Sequence, residues 1–324
     1  MLMSVLLFAV GLVLLIKGGD WFVDGATGIA KRFNLPDIVV GATVVSIGTT
    51  LPEVMVSTTG ALQGSGAMAY GNAIGSIICN TALIAAISIV CNPGPVNTKS
   101  MKTPAIFFFA SAGLYCLASY VLGTFPRWMG FVMLSIFVVY TVLTVRNGLK
   151  NPDAAEEEEE EEGKQRTLVM ELVLLVIGAA VIAVGADLLV EHGQIIAIGL
   201  GVPETVVALL FVALGTSLPE LVTTITSLRS GHASLGVGNV IGANVFNLVL
   251  VSGVAVSLAP FDVPCENTLL NTGLNMSLVF EIPVMLGVMS LMIFPTLATK
   301  KLQRWQGFLL LGIYIAFCVC PFVL

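Results

Sequence analysis

Gly48-Thr-Thr-Leu-Pro-Glu53 and Gly215-Thr-Ser-Leu-Pro-Glu220 are near copies, and each sets a glutamate in the middle of a long apolar run. They lie 167 residues apart, and the same offset aligns residues 18–90 with 185–257 without a gap. Thirteen of the shared positions are Gly, Pro, Asp, Glu, Asn or Thr, among them Asp20 with Asp187, Pro36 with Pro203, Glu53 with Glu220, and Asn80 with Asn247. Shared Leu or Val would mean little in an apolar chain. Shared polar, Gly and Pro positions point to a duplication, so the fold is built from two like halves.

The solvent of those halves follows from composition. Of 324 residues 56% are apolar and 10% charged, and seven of the charges form the run Glu156–Glu162. A soluble domain carries roughly a quarter charged residues. A soluble enzyme and a disordered chain are therefore excluded, and the net charge of −6 argues against a nucleic-acid partner. The remaining partner is the lipid bilayer. Apolar stretches of about 20 residues, the length of a crossing helix, lie near 2–24, 38–62, 71–91, 104–122 and 128–145, then near 168–190, 205–228, 236–258, 282–298 and 305–323. They are continuous rather than alternating, which excludes a transmembrane β-barrel.

With ten spans the loops alternate between two sides. Twelve Lys and Arg residues then fall on one side and Arg127 alone on the other, with Lys17 inside the first span. The positive-inside rule makes the basic side cytosolic. A multi-pass protein of the cell (inner) membrane is expected, with both termini outside and the acidic central loop in the cytosol. The N-terminus has no basic region before its apolar stretch and no A-x-A-like site, so it reads as a first span rather than a signal peptide. The Glu156–Glu162 run, flanked by Arg146, Lys150, Lys164 and Arg166, reads as a solvated linker. Of the six cysteines, Cys79, Cys116, Cys318 and Cys320 fall in spans, Cys91 at a span end and Cys265 outside, which is no disulfide framework. His192 and His232 lie in or beside loops and receive no role.

Five spans per half is an odd number, so the second half enters the membrane from the opposite side. The expected fold is an all-α polytopic membrane protein of ten helices in two inverted five-helix repeats: residues 1–145, an acidic cytosolic linker 146–167, and residues 168–324. Inverted repeats are the architecture of secondary transporters, with the substrate site near the midplane.

The repeated polar segments supply such a site. An ionised Glu at mid-span costs about 2.5–3.5 kcal/mol or more, so it persists by facing a cavity, a partner or an ion. Pro52 and Pro219 lack an N–H, which removes the helical donor of the Gly48 and Gly215 carbonyls. Backbone oxygens near Ser46–Gly48 and Ala213–Gly215 are thereby expected to open toward a cavity. Thr49 with Glu53, and Thr216 with Glu220, are four apart and are expected on one helix face. Thr50 and Ser217 add hydroxyls. The following spans repeat Gly71-Asn-Ala-Ile-Gly-Ser-Ile-Ile-Cys-Asn80 as Gly238-Asn-Val-Ile-Gly-Ala-Asn-Val-Phe-Asn247, and each terminal Asn follows its Glu by 27 residues. Ser76 lies one turn before Asn80. Every donor is an oxygen, which suits Ca²⁺ or Na⁺ and not zinc or copper.

Together these segments resemble the paired α-repeats of the sodium/calcium exchangers, within the cation/Ca²⁺ antiporter superfamily, and the resemblance spans the whole chain. It implies a secondary antiporter that exchanges Ca²⁺ for Na⁺ by alternating access, with no cofactor beyond the transported ions. By that resemblance Glu53 and Glu220 are central ligands; Thr49, Thr50, Thr216, Ser217 and Ser76 supply side-chain oxygens; Ser46 and Ala213 supply carbonyls; Asn80 and Asn247 flank the centre. It further implies that the first and sixth helices slide past a rigid remainder. Two positions depart from the pattern: Ala243 replaces a common Ser, which removes a hydroxyl from one Na⁺ position, and Asn247 stands where potassium-dependent relatives carry Asp. A Ca²⁺/H⁺ or other-cation antiporter of the same fold is the alternative. A cation channel fits inverted odd-numbered halves poorly, and an intramembrane enzyme would want a His or a zinc ligand set within a span.

Overall fold

Leu2–Arg32 forms a single 31-residue helix, longer than the first expected span because the charges at Lys17, Asp20 and Asp24 do not interrupt it. It stops where Asn34 takes a left-handed conformation (φ 50°) and the Leu35 N–H reaches back to the Ala30 carbonyl at 2.9 Å, a Schellman turn ahead of Pro36. The structure is a computed structural model that describes residues 2–150, 166–200, 215–264, 268–269 and 274–323, with side chains in the last helix described through Val319. The expected linker run Glu156–Glu162, residues 205–214 of the seventh span, and Ala213 lie outside the described residues.

The helices are α1 (Leu2–Arg32), α2 (Asp37–Thr49), α3 (Leu51–Leu62), α4 (Gly66–Cys91), α5 (Thr98–Leu122), α6 (Arg127–Leu149), α7 (Leu168–Gly199), α8 (Leu218–Arg229), α9 (Ala233–Leu258), α10 (Ser277–Thr299) and α11 (Arg304–Val323). Among the described residues seven are long and apolar enough to cross a membrane, and α2 with α3 makes an eighth crossing bent by 45°. The protein is a multi-pass, all-helical membrane protein. α7 outruns its expected end much as α1 does, to Gly199.

Two local devices recur at the 167-residue offset. α3 and α8 both end on a left-handed glycine, Gly64 (φ 83°) and Gly231 (φ 82°), each followed by an N–H that returns 2.8 Å to a carbonyl of the helix (Ser65 to Gly60, His232 to Ser227). α4 and α9 both carry a π-helical turn that starts on the asparagine ending the polar motif: Asn80–Ala85 and Asn247–Val251. Such turns insert one extra residue and often mark functional positions.

α1 and α7 run antiparallel and meet backbone to backbone through glycines seven residues apart. A Cβ added at Gly11 would lie 2.9 Å from the Gly185 carbonyl, one at Gly18 2.9 Å from the Ile182 nitrogen, and one at Gly25 2.6 Å from the Glu171 carbonyl. From the other side, a Cβ at Gly178 would lie 2.6 Å from the Phe22 nitrogen. One end of the pair is tied by charge: Arg32 grips the buried Glu171 carboxylate through two nitrogens (2.8 and 3.1 Å) and also donates to the Arg166 carbonyl, while Arg166 meets Asp24 at 2.9 Å. Lys17 lies 3.6 Å from Asp20, so both aspartates in this half of α1 have basic partners.

Short strands join the loops. Gly94–Pro95 (β1) pairs antiparallel with Lys301–Leu302 (β4), and Thr124–Phe125 (β2) with Phe261–Asp262 (β3). His232 Nδ1 contacts Asp37 Oδ2 at 2.6 Å, tying the loop before α9 to the start of α2. Among the described residues, Cys79, Cys91, Cys116 and Cys318 are free thiols.

Candidate cation site

The two glutamate motifs meet in the interior of the bundle. The helix breaks at Thr50, the residue before α3, so that α2 ends and α3 begins beside the site with Pro52 in the first turn of α3. Ser217, Leu218 and Pro219 repeat this at the start of α8. Pro is accommodated there because first-turn N–H groups have no helical acceptor in any case. The Ser46 carbonyl accepts the Thr50 N–H at 3.0 Å, so one lone pair is used and the second is open.

Glu53 and Glu220 are fully buried, and their charges act on each other. Among the described residues, both Glu53 carboxylate oxygens and Oε2 of Glu220 have no hydrogen-bond partner, and the Thr50 hydroxyl lies 3.5 Å from Oε1 of Glu220. Asn80 and Asn247 are likewise fully buried with both amide atoms unpaired, and the Ser217 hydroxyl is unpaired. The turn that begins at Asn80 packs against α8, which carries Glu220; the turn that begins at Asn247 packs against α3, which carries Glu53. Each asparagine-bearing turn thus packs on the glutamate helix of the other half. Ser46 and Ser76 are also buried, and the Ser46 hydroxyl donates to the Gly41 carbonyl at 2.7 Å.

One expectation needs correction. Thr49 and Glu53 do not share a continuous helix face, because the break at Thr50 falls between them. The Thr49 hydroxyl is turned to the opposite half, where it donates to Asn239 Oδ1 at 3.2 Å and lies beside the Glu220 carboxylate. Thr216 does the same in reverse, donating to Asn72 Oδ1 at 3.3 Å. Asn72 and Asn239 were not expected among the functional residues, although both are identities at the 167-residue offset. A further buried group, Asn244 with Thr81 (2.7 Å) and Met289 (3.1 Å), was also missed; its first-half counterpart is Ile77, so the repeat offered no signal.

Native interiors leave few polar side chains unpaired, and each such group asks for an explanation. Among the described residues, Glu53, Asn80, Ser217, Glu220 and Asn247 have such unpaired buried atoms and all belong to the repeated motifs, and two of these five are carboxylates. Among the described residues there is no cluster of three or more His, Cys, Asp or Glu. The donors are two carboxylates plus neutral amide, hydroxyl and carbonyl oxygens, the set that hard cations take.

The sodium/calcium exchanger protein family matches residues 3–146 and 170–323, nearly the whole chain and both halves. The chain belongs to that family. A sodium/calcium exchanger of Methanosarcina acetivorans is 30% identical over 98% of this chain and 98% of its own, and an uncharacterized membrane protein of Methanocaldococcus jannaschii is 34% identical over 95% and 94%. Among solved structures, the sodium-calcium exchanger NCX_Mj soaked with Na⁺ and Sr²⁺ superposes with a TM-score of 0.79, at 32% identity over 98% of each chain.

Within an exchanger, Ala243 is informative. It is fully buried where the first half has Ser76, so the two halves offer unequal numbers of hydroxyls. Ala243→Ser is expected to lower the half-saturating Na⁺ concentration about five-fold, the equivalent of about 1 kcal/mol for one added ligand. Titration of Na⁺-driven exchange in reconstituted vesicles measures this; an unchanged Na⁺ dependence would place position 243 off the ion path.

Proposed function

We propose that this exchanger moves Ca²⁺ one way and Na⁺ the other through a single site at the junction of two inverted five-helix repeats, residues 1–145 and 168–324, joined by the acidic linker 146–167. Glu53 and Glu220 are the central ligands. Thr49, Thr50, Thr216, Ser217 and Ser76 add hydroxyl oxygens, Ser46 and Ala213 add carbonyls, and Asn80 and Asn247 flank the centre. The carrying observation is the pair of fully buried carboxylates with three of their four oxygens unpaired. The partners that would relieve them are cations.

Charge explains why such a site exchanges rather than leaks. Two carboxylates give −2, which one Ca²⁺ or two monovalent ions neutralise. The empty site is doubly charged, and closing it off from water carries a desolvation cost of several kcal/mol per ion. Reorientation is therefore favoured when the site is loaded, and transport in one direction requires a return ion. The ten-span alternation, with both termini outside and the linker cytosolic, is supported by the loop pairings: β1 with β4 and β2 with β3 each join loops that this alternation places on the same side.

The test is ⁴⁵Ca²⁺ uptake into proteoliposomes preloaded with Na⁺, K⁺ or acidic buffer. Uptake should require internal Na⁺ and dissipate when external Na⁺ is raised to match. Uptake driven by internal acid would assign the Ca²⁺/H⁺ mode instead, since carboxylates bind protons as well. Uptake without any counter-ion would mean a channel.

A further inference from the structure

We infer that Asn72 and Asn239 are positioning residues that hold the hydroxyl protons of Thr216 and Thr49 away from the ion, so that these oxygens meet it with lone pairs. The inference rests on the site proposed above. A threonine hydroxyl has one proton and two lone pairs, and only a lone pair ligates a cation. Beside a buried carboxylate an unrestrained hydroxyl can turn its proton to the carboxylate, into the space an ion would occupy. The two asparagines offer those protons a second acceptor, outside that space.

The geometry fixes which amide atom does this. Asn239 Nδ2 donates to the Thr223 hydroxyl at 2.9 Å, and that hydroxyl in turn donates to the carbonyls of Pro219 (2.9 Å) and Glu220 (3.1 Å). Asn72 Nδ2 donates to the Ser57 hydroxyl at 2.8 Å and to the Glu53 carbonyl at 3.1 Å. With both nitrogens engaged, each Oδ1 is left to accept, and each accepts from a threonine of the opposite half: Thr49 at 3.2 Å and Thr216 at 3.3 Å, with the Ser46 hydroxyl also 3.3 Å from Asn239 Oδ1. The Thr49 hydroxyl also lies within hydrogen-bonding reach of the Glu220 carboxylate, so Asn239 Oδ1 competes with that carboxylate for its proton. Each asparagine also connects the threonine of one half to the backbone that carries the glutamate of the other, so the ligands from the two halves keep one spacing.

A residue acting through another shows non-additivity with it. The experiment is a double-mutant cycle on Na⁺-driven ⁴⁵Ca²⁺ uptake by the purified full-length protein in liposomes, with half-saturating Na⁺ and Ca²⁺ and the maximal rate read separately. Asn239→Ala and Thr49→Val are each expected to raise half-saturating concentrations about five-fold, and the double variant no more than about five- to tenfold rather than the ~25-fold product. The crossed combination, Asn72→Ala with Thr49→Val, shares no hydrogen bond and should multiply. A purely structural role for Asn239 would lower the maximal rate and multiply with Thr49→Val, and that outcome overturns the inference. Should Asn239→Ala not fold, Asn239→Ser keeps a hydroxyl but is one atom too short for Thr49, and the mirror cycle of Asn72 with Thr216 gives a second reading. Absence of Na⁺-driven uptake in the wild-type protein would instead strike at the proposed function, while exchange with multiplying cycles would strike at the asparagines alone.

Discussion

Glu53→Gln and Glu220→Gln are each expected to abolish Ca²⁺ exchange, with uptake falling at least 100-fold while the purified protein still folds. Gln has the volume of Glu and keeps one acceptor oxygen, so packing at these fully buried positions is nearly unchanged. The charge of the site is not. With one carboxylate gone, bound Ca²⁺ leaves a net +1 in the interior, and an unpaired buried charge costs about 3–5 kcal/mol, or a factor of about 100 or more in occupancy. The two substitutions should be equally severe because each carboxylate supplies half the compensating charge. Uptake at a tenth of the wild-type rate by either variant, with a thermal melt like the wild type, would show that the site lies elsewhere.

A comparable loss is expected where no ion binds. Gly178→Leu places its Cβ 2.6 Å from the Phe22 nitrogen, and Phe22 in turn lies against the motif: a Cβ on Gly48 would be 2.9 Å from the tip of its ring. The contact is backbone against side chain, so α1 and α7 must part. Overpacking of this kind costs about 1–3 kcal/mol, and we expect the maximal exchange rate to fall ten-fold or more while half-saturating ion concentrations stay within about two-fold. Gly287→Leu on α10, where a Cβ meets nothing within 4 Å, is the control and should exchange normally. Wild-type turnover in Gly178→Leu would mean that the close pairing of α1 and α7 is dispensable to transport.

What the chain reveals before folding, and what it withholds, divides along physical lines. Apolar runs and the distribution of Lys and Arg are bulk signals set by the bilayer, and they located most of the described helix ends to within a turn or two. α1 and α7 ran past their expected ends because charge suggests an interface, whereas Asp24 and Arg32 are held in ion pairs along continuing helix. The glutamates and flanking hydroxyls were legible because charge in an apolar run is conspicuous. Asn72 and Asn239 stood in the same motifs, but their role depends on reaching across to the other half, which no local pattern encodes. The π turns at Asn80 and Asn247 are hidden for another reason: one inserted residue barely disturbs apolar periodicity. The seven-residue glycine spacing on α1 was visible, but not the partner it fits.

The length of α1 and α7 carries a consequence of its own. At 31 and 32 residues each measures close to ~47 Å at ~1.5 Å per residue, against a hydrocarbon core of about 30 Å. Their outward faces, with Leu6, Val10 and Val13 on one and Val169, Val176 and Val184 on the other, are exposed apolar surface. Helices of such excess length lie tilted, and the tilt that suits them depends on how thick the surrounding membrane is. If these two helices are the part that slides, each stroke changes how much of them the acyl chains must cover. Membrane thickness then becomes a mechanical load on the exchange cycle, able to ease or stiffen it without touching a single ion ligand.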